Sequence, residues 1–266
     1  MQHLSGDHFY IFQSRWWQLN SILCNLHSTT LIWDPAYDPF ELEAILIQAA
    51  KFESSSKYLL FTHGDYDHIA GGVNFEDYQL VGSTAFRDKS DKEQVIQQIN
   101  NLDHEFYVER KKPVTFPVLD IPIVPANPTI LKLGNLEVIF FRAAGHTPDG
   151  LFTLVPELGL WVAGDYLSDI EFPFVEDELK DYLATLETAR RLLDDYAIKV
   201  MVPGHGNPAY SKDEILKRID HSERYVNSLT QDTTPDWRTT WGSSPFHHFL
   251  DKMHLKNIAH VRSATL

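Results

Sequence analysis

Six consecutive residues, His63-Gly64-Asp65-Tyr66-Asp67-His68, place two imidazoles and two carboxylates in one short loop. Three further segments repeat these residue types: Gly145-His146, Gly164-Asp165 and Gly204-His205-Gly206. Imidazole nitrogens and carboxylate oxygens, with no sulfur among them, are the donors of borderline and hard divalent cations, so the pattern points away from a structural thiolate zinc knot. The candidate ligands are His63, Asp65, Asp67, His68, His146, Asp165 and His205, enough donors for two ions. Any one of these histidines taken alone is an ordinary polar residue, and the loop taken alone is a polar turn with a helix N-cap. Their conjunction at four separated positions, each with a glycine alongside that lets backbone approach closely, carries the metal reading.

Each candidate follows an apolar run. Residues 57–61 read as a buried strand just before His63, 136–141 as a strand before His146, 160–163 as a strand before Asp165 and 198–202 as a strand before His205. Strand ends are where layered α/β proteins often place their chemistry. Residues 9–12, 22–26 and 30–33 read as the strands of a meander. Beyond Asp34-Pro35, the spacing of Leu42, Ile45, Leu46 and Ala49 predicts a helix. Further strands are expected at 78–81, 130–133 and 151–155, with Gly134-Asn135 as a hairpin turn. Helices are expected at 92–102, at 179–193 and at 212–229, the last of these carrying His221. A final amphipathic helix around Phe249, Met253 and Ile258 is expected to keep His247, His248, His254 and His260 on its wet side. Five prolines within 113–128 read as a stiff extended connection. The alternation predicts one layered α/β domain over 1–266, with 207–266 as a helical extension packed on it.

Composition bounds the partners. A chain of 266 residues, 43% hydrophobic and 23% charged, has an ordinary globular balance and a core to bury. Against 37 Asp and Glu stand 23 Lys and Arg, and the resulting charge of −14 repels phosphate backbones and anionic membrane surfaces. A small-molecule substrate is therefore expected, with no nucleic acid and no membrane; a homodimer stays open. Cys24 is the single cysteine, so neither an internal disulfide nor a thiolate cluster can form. The opening MQHLSGDHFYIFQSRWW lacks the basic and then apolar order of a secretory signal, and no apolar run reaches about 18 residues, so a cytoplasmic setting is expected.

The leading motif resembles that of the metallo-β-lactamase fold hydrolases, a superfamily of αββα sandwiches that includes glyoxalase II, lactonases and flavodiiron proteins. Its pattern is His-x-His-x-Asp-His, and five of the six positions agree in type; Asp65 stands where the family has its second histidine. The resemblance runs from Asp34, in LIWDPAY, to His205 and beyond. Gly145-His146-Thr147-Pro148 is similar to a turn of the lactonase and thioesterase branches, although Asp149 stands where glycine is frequent. The resemblance implies that His63 and His146 bind a first ion, with Asp65 in place of the missing imidazole. Asp67, His68 and His205 would bind a second, and Asp165 would bridge the two. Zinc is the first expectation for both ions, while the harder donor Asp65 brings iron or manganese into range.

The activity so implied is hydrolysis of an ester, thioester or lactone in a small molecule by metal-activated water. Asp67 would accept a proton, Tyr66 and Tyr166 would be the oxyanion donors, and Thr147 would orient a ligand. Two other functions stay open. Flavodiiron members carry a carboxylate, Glu, at the position of Asp65, which admits a di-iron or mononuclear iron oxidoreductase. The same departure admits a metal-binding protein without catalysis.

Overall fold

The computed structural model describes residues 8–125, 128–231, 236–244 and 247–263, together with the backbone of 2–5. Residues 126–127 of the proline-rich connection lie outside the described residues. The first sheet contains β1 (Gln2–Ser5), β2 (Phe9–Gln13), β3 (Asn20–Leu26), β4 (Thr29–Trp33), β5 (Ser56–Leu60), β6 (Gln79–Ser83) and β7 (Ile121–Ile123), side by side in chain order. β1 to β4 form the antiparallel meander, and β4 to β7 run parallel. Parallel neighbours need crossovers, here made by α1 (Pro39–Ala49), α2 (Tyr66–Ile69), α3 (Thr84–Arg87) and α4 (Lys92–Phe106). Asp38 caps α1 by accepting from the Phe40 N–H, with Pro39 at the first helical position.

The second sheet has β8 (Thr129–Leu133), β9 (Leu136–Arg142), β10 (Leu151–Val155), β11 (Leu160–Val162) and β12 (Val200–Val202) in the spatial order β12-β11-β10-β9-β8. It is antiparallel except for the β11–β12 pair, whose crossover contains α5 (Leu179–Asp195). Then follow α6 (Lys212–Ser228), α7 (Arg238–Trp241) and α8 (His247–Ser263).

Side chains alternate across the strands with a period of two, and this sorts the apolar residues into three layers. Leu31 and Trp33 of β4 meet Val138 and Phe140 of β9 between the sheets. Ile32 faces outward onto Leu42 and Ile45 of α1 and Ile99 of α4. Ile139 and Phe141 face the other way, onto a cluster that takes in Leu186 and Leu192 of α5, Ile219 and Val226 of α6, and Leu250 and Val261 of α8. The architecture is the expected αββα sandwich. Residues from 207 onward supply a large part of its third apolar layer.

Three local differences from the sequence reading have physical causes. The proline-rich connection holds β7, which pairs with β6 at the sheet edge, where Pro122 has no partner strand to disappoint. β1 is polar in sequence and is ordered by pairing with β2. His254 lies on the buried face of α8, 5% exposed, with Nδ1 3.0 Å from the Tyr225 hydroxyl.

Candidate metal centre

The sequence-derived ligands converge at one end of the sandwich. β5 leads through Phe61 and Thr62 to His63, and Asp65 stands at the N-cap of α2 with no side-chain capping bond, which leaves its carboxylate free. The single turn of α2 turns Asp67 and His68 inward, 5% and 0% exposed. From the second sheet come His146 after β9, Asp165 after β11 and His205 after β12. Two glycines permit this crowding. Gly145 has φ +117°, and a Cβ there would lie 2.3 Å from the backbone of Tyr182. A Cβ on Gly204 would collide with Asp165 Oδ1.

The donors form two groups that share Asp165. In the first, His63 Nε2 is 3.6 Å from Asp65 Oδ2 and 3.7 Å from Asp165 Oδ2, and His146 Nε2 is 3.5 Å from each of those oxygens. In the second, His205 Nε2 is 3.3 Å from Asp67 Oδ2 and 3.5 Å from Asp165 Oδ2, while His68 Nε2 is 3.0 Å from Asp165 Oδ1 and 4.0 Å from Asp67 Oδ2. Ligands about 2.1 Å from a cation at tetrahedral angles stand about 3.4 Å from one another, so both sets of spacings fit a central ion.

Hydrogen bonds fix which imidazole nitrogen faces inward. His68 Nδ1 donates to Asp34 Oδ2 at 2.9 Å, His146 Nδ1 to the Phe174 carbonyl at 3.0 Å and His205 Nδ1 to the Trp17 carbonyl at 2.9 Å. The Thr62 hydroxyl donates to Asp34 Oδ2 at 2.6 Å, so at 3.0 Å it accepts from His63 Nδ1. These acceptors require the proton on Nδ1 and leave the Nε2 lone pairs facing the centre. Nε2 of His63, His68 and His146, and Oδ1 of Asp165, are buried without any hydrogen-bond partner. Buried polar atoms are almost always satisfied, so a set of mutually facing acceptors without donors fits a cation.

The electrostatics agree. Burial opposes ionisation of Asp65 and Asp165, yet the facing imidazoles hold both carboxyls well below the usual range. Burial likewise opposes charge on His146, but Asp65 and Asp165 raise it to about 10. Carboxylates that pull protons this strongly onto imidazoles would serve divalent cations in the same way.

A cavity of about 880 Å³ opens over the two groups. Trp17 and Tyr66 line one side, Phe174, Phe249 and Met253 the other, and Lys89 reaches in with Nζ 4.0 Å from Asp65 Oδ1. Tyr66 lines this cavity, and Tyr166 does not. The Tyr166 hydroxyl accepts from the His146 N–H at 2.9 Å and donates to the Ala143 carbonyl at 3.1 Å, so the expected oxyanion donor instead braces the backbone of a candidate ligand. Thr147 also departs from expectation: its Oγ1 is buried without a partner and orients no ligand. Sequence reasoning missed Glu171, whose carboxylate groups with Asp165 and His205 within 4.8 Å. Burial pushes it up to about 7, with His205 opposing and the fields of Asp165 and Asp67 adding to the rise. Its signal was an isolated acid between Ile170 and Phe172.

An αββα sandwich whose strand ends deliver two cation-sized nests of imidazole and carboxylate defines a class of metal-binding proteins with a cleft above the site. The sequence model of the Metallo-beta-lactamase superfamily matches residues 14–205, and the chain belongs to that superfamily. Among solved structures it is similar to a metallo-beta-lactamase family protein from Thermus thermophilus, at 17% identity and a TM-score of 0.62 over 95% of this chain and 93% of that one. The B3 metallo-beta-lactamase BLEG-1 gives 19% identity and a TM-score of 0.60 over 80% and 97% of the two chains. A variant of the sec-alkyl sulfatase PisA1 gives 12% identity and a TM-score of 0.61 over 85% of this chain and 41% of that one. No curated protein matches the sequence. Among the described residues, no helix is long and apolar enough to cross a membrane.

Proposed function

We propose that the chain is a metal-dependent hydrolase, of the glyoxalase II and lactonase type, that cleaves an ester, thioester or lactone bond in a small molecule. Its superfamily is mostly hydrolytic, and the observation that carries the reading is the set of orphaned Nε2 lone pairs facing Asp165. His63, Asp65 and His146 would hold one divalent ion, Asp67, His68 and His205 would hold the other, and Asp165 is placed to serve both. The ions, when bound, supply Lewis-acid polarisation and an activated water near neutral pH. Asp67, on the cavity wall beside His205, takes the proton of the attacking water. Burial and then the field of Asp67 push the Tyr66 hydroxyl far above its ordinary value, so it stays protonated as a donor to the developing oxyanion. Trp17, Phe174 and Met253 exclude water from the organic part of the substrate. A cytoplasmic setting and the absence of nucleic acid and membrane partners belong to the same proposal, supported by the charge of −14 and the single cysteine, which is buried.

The test is metal analysis of protein purified without added metal, beside turnover of a generic ester or lactone. About two equivalents of ion are expected, with turnover abolished in His68→Ala and Asp165→Ala. Asp65 in place of an imidazole in the first group, and Glu171 beside Asp165 and His205, favour one second reading, an iron oxidoreductase. Near-stoichiometric iron with a visible absorption band would replace the hydrolase with it. Bound metal without turnover would leave a metal-binding protein.

A further inference from the structure

The loop after Asp165 and the last helix form one assembly around His146. Asn257, on α8, is 1% exposed, and every polar atom of its side chain is engaged. Its Oδ1 accepts from the Val175 N–H at 3.0 Å, and its Nδ2 donates to the Pro173 carbonyl at 2.7 Å and to the Tyr225 hydroxyl at 3.0 Å. The residue bracketed by these two backbone bonds is Phe174. Its carbonyl is the one that accepts from His146 Nδ1 at 3.0 Å. Two more bonds tie the loop to the ligand turn, from the Glu176 N–H to the His146 carbonyl and from the Asp177 N–H to the Gly145 carbonyl. α8 holds the far side of the loop again through Lys256 on Glu176 at 2.5 Å and His260 on the Asp177 carbonyl at 2.9 Å.

We infer that Asn257 is a positioning residue for the first ion: it fixes the Phe174 carbonyl, which sets the tautomer and the aim of His146. The role follows from the bonding arithmetic. A primary amide offers two donors and an acceptor in one plane, and here it meets a carbonyl, a hydroxyl and an N–H that nothing apolar could satisfy. Releasing it leaves buried backbone groups of Pro173 and Val175 unpaired, so the loop must move to recover partners and takes the Phe174 carbonyl with it. An imidazole without that acceptor has no reason to keep its proton on Nδ1. Beside Asn257 on α8, Phe249, Met253 and Lys256 line the cavity, so the helix that borders the substrate space also aims a ligand. His63, His68 and His205 take their outer acceptors from other segments and are independent of it.

The inference rests on the metal-centre reading, and the experiment separates the two. Zinc is titrated into the metal-free full-length protein against a chromophoric chelator, with His146→Ala marking the first ion. Asn257→Ala is expected to weaken the ion that His146→Ala loses by about 10–100-fold, to leave the other within about threefold, and to add nothing in the His146→Ala background. Cobalt loaded at the first position should show altered visible bands in Asn257→Ala. Asn257→Asp keeps the volume and the Val175 acceptor but loses both donors, so it supplies the same sign of effect if the alanine variant does not fold. Equal weakening of both ions, or no weakening of either in a folded variant, overturns the role of Asn257. If His146→Ala itself retains both ions at wild-type affinity, the metal-centre assignment fails as well.

Discussion

Asp34 shows how much of the proposed metal centre lies one bond away from its candidate ligands. Its Oδ2 accepts from His68 Nδ1 at 2.9 Å and from the Thr62 hydroxyl at 2.6 Å, while Oδ1 accepts from the Thr62 N–H at 2.9 Å. One buried carboxylate thus orients His68 directly and His63 through Thr62. Asp34 also has φ +44°, a region in which Asp and Asn are the favoured residues after glycine, so Asp34→Asn leaves the backbone unstrained. The amide keeps one acceptor for Thr62 and turns N–H groups toward His68 Nδ1. That opposes the Nδ1–H tautomer and moves the proton toward the ligating nitrogen. Asp34→Asn is expected to fold with near wild-type stability and to bind the second ion about 10–100-fold more weakly, measured by chelator competition. Wild-type affinity for both ions would show that the carboxylate does not set the tautomer.

At the scale of elements, α8 is anchored through a chain of donors with a definite direction. Asn257 donates to the Tyr225 hydroxyl, and Tyr225 in turn donates to His254 Nδ1, so His254 is held neutral. Burial is the main influence that lowers His254 below its ordinary value; Arg238 adds to it and Asp251 opposes it. A histidine depressed in the folded state contributes stability that is complete above its unfolded value of about 6.5 and is lost as pH falls through the folded value. Wild type should therefore lose more thermal stability than His254→Gln between pH 7.5 and 5.5, with both proteins metal-free so that the ligands cancel. Parallel losses would place the pH sensitivity elsewhere. This anchor marks the limit of sequence reading. The helix was legible from the spacing of Phe249, Met253 and Ile258, but the burial of His254 depends on Tyr225 from a different helix. The same division holds at the site. Four ligand segments were legible because each follows its own apolar strand, whereas Glu171, the Phe174 carbonyl and Asn257 act across the chain and leave no local periodicity. β7 was hidden because Pro122 argues against a strand everywhere except at an edge.

Over the whole molecule, the proposed ions join the two halves of the sandwich. His63, Asp65, Asp67 and His68 hang from the first sheet, and His146, Asp165 and His205 from the second. Metal-free protein must hold Asp65, Asp67 and Asp165 close together in a chain already at −14, with protons on imidazoles and the Lys89 ammonium beside Asp65 as local compensation. An ion that binds this native arrangement and not the unfolded chain stabilises it by about 2.7 kcal/mol at a free concentration of one hundred times its Kd. For a domain of this size each kcal/mol moves Tm by roughly 2–4 °C, so each ion should raise Tm by about 5–10 °C. Calorimetric scans with and without a strong chelator should show that difference. Asp165→Asn, which weakens both groups at once, should lose most of the metal-dependent increment, while His146→Ala should keep the part due to the second ion. A Tm indifferent to chelator and to added zinc, manganese and iron would mean that the facing ligands of the two sheets are held by packing alone, and the proposed coupling of the halves through metal would fall.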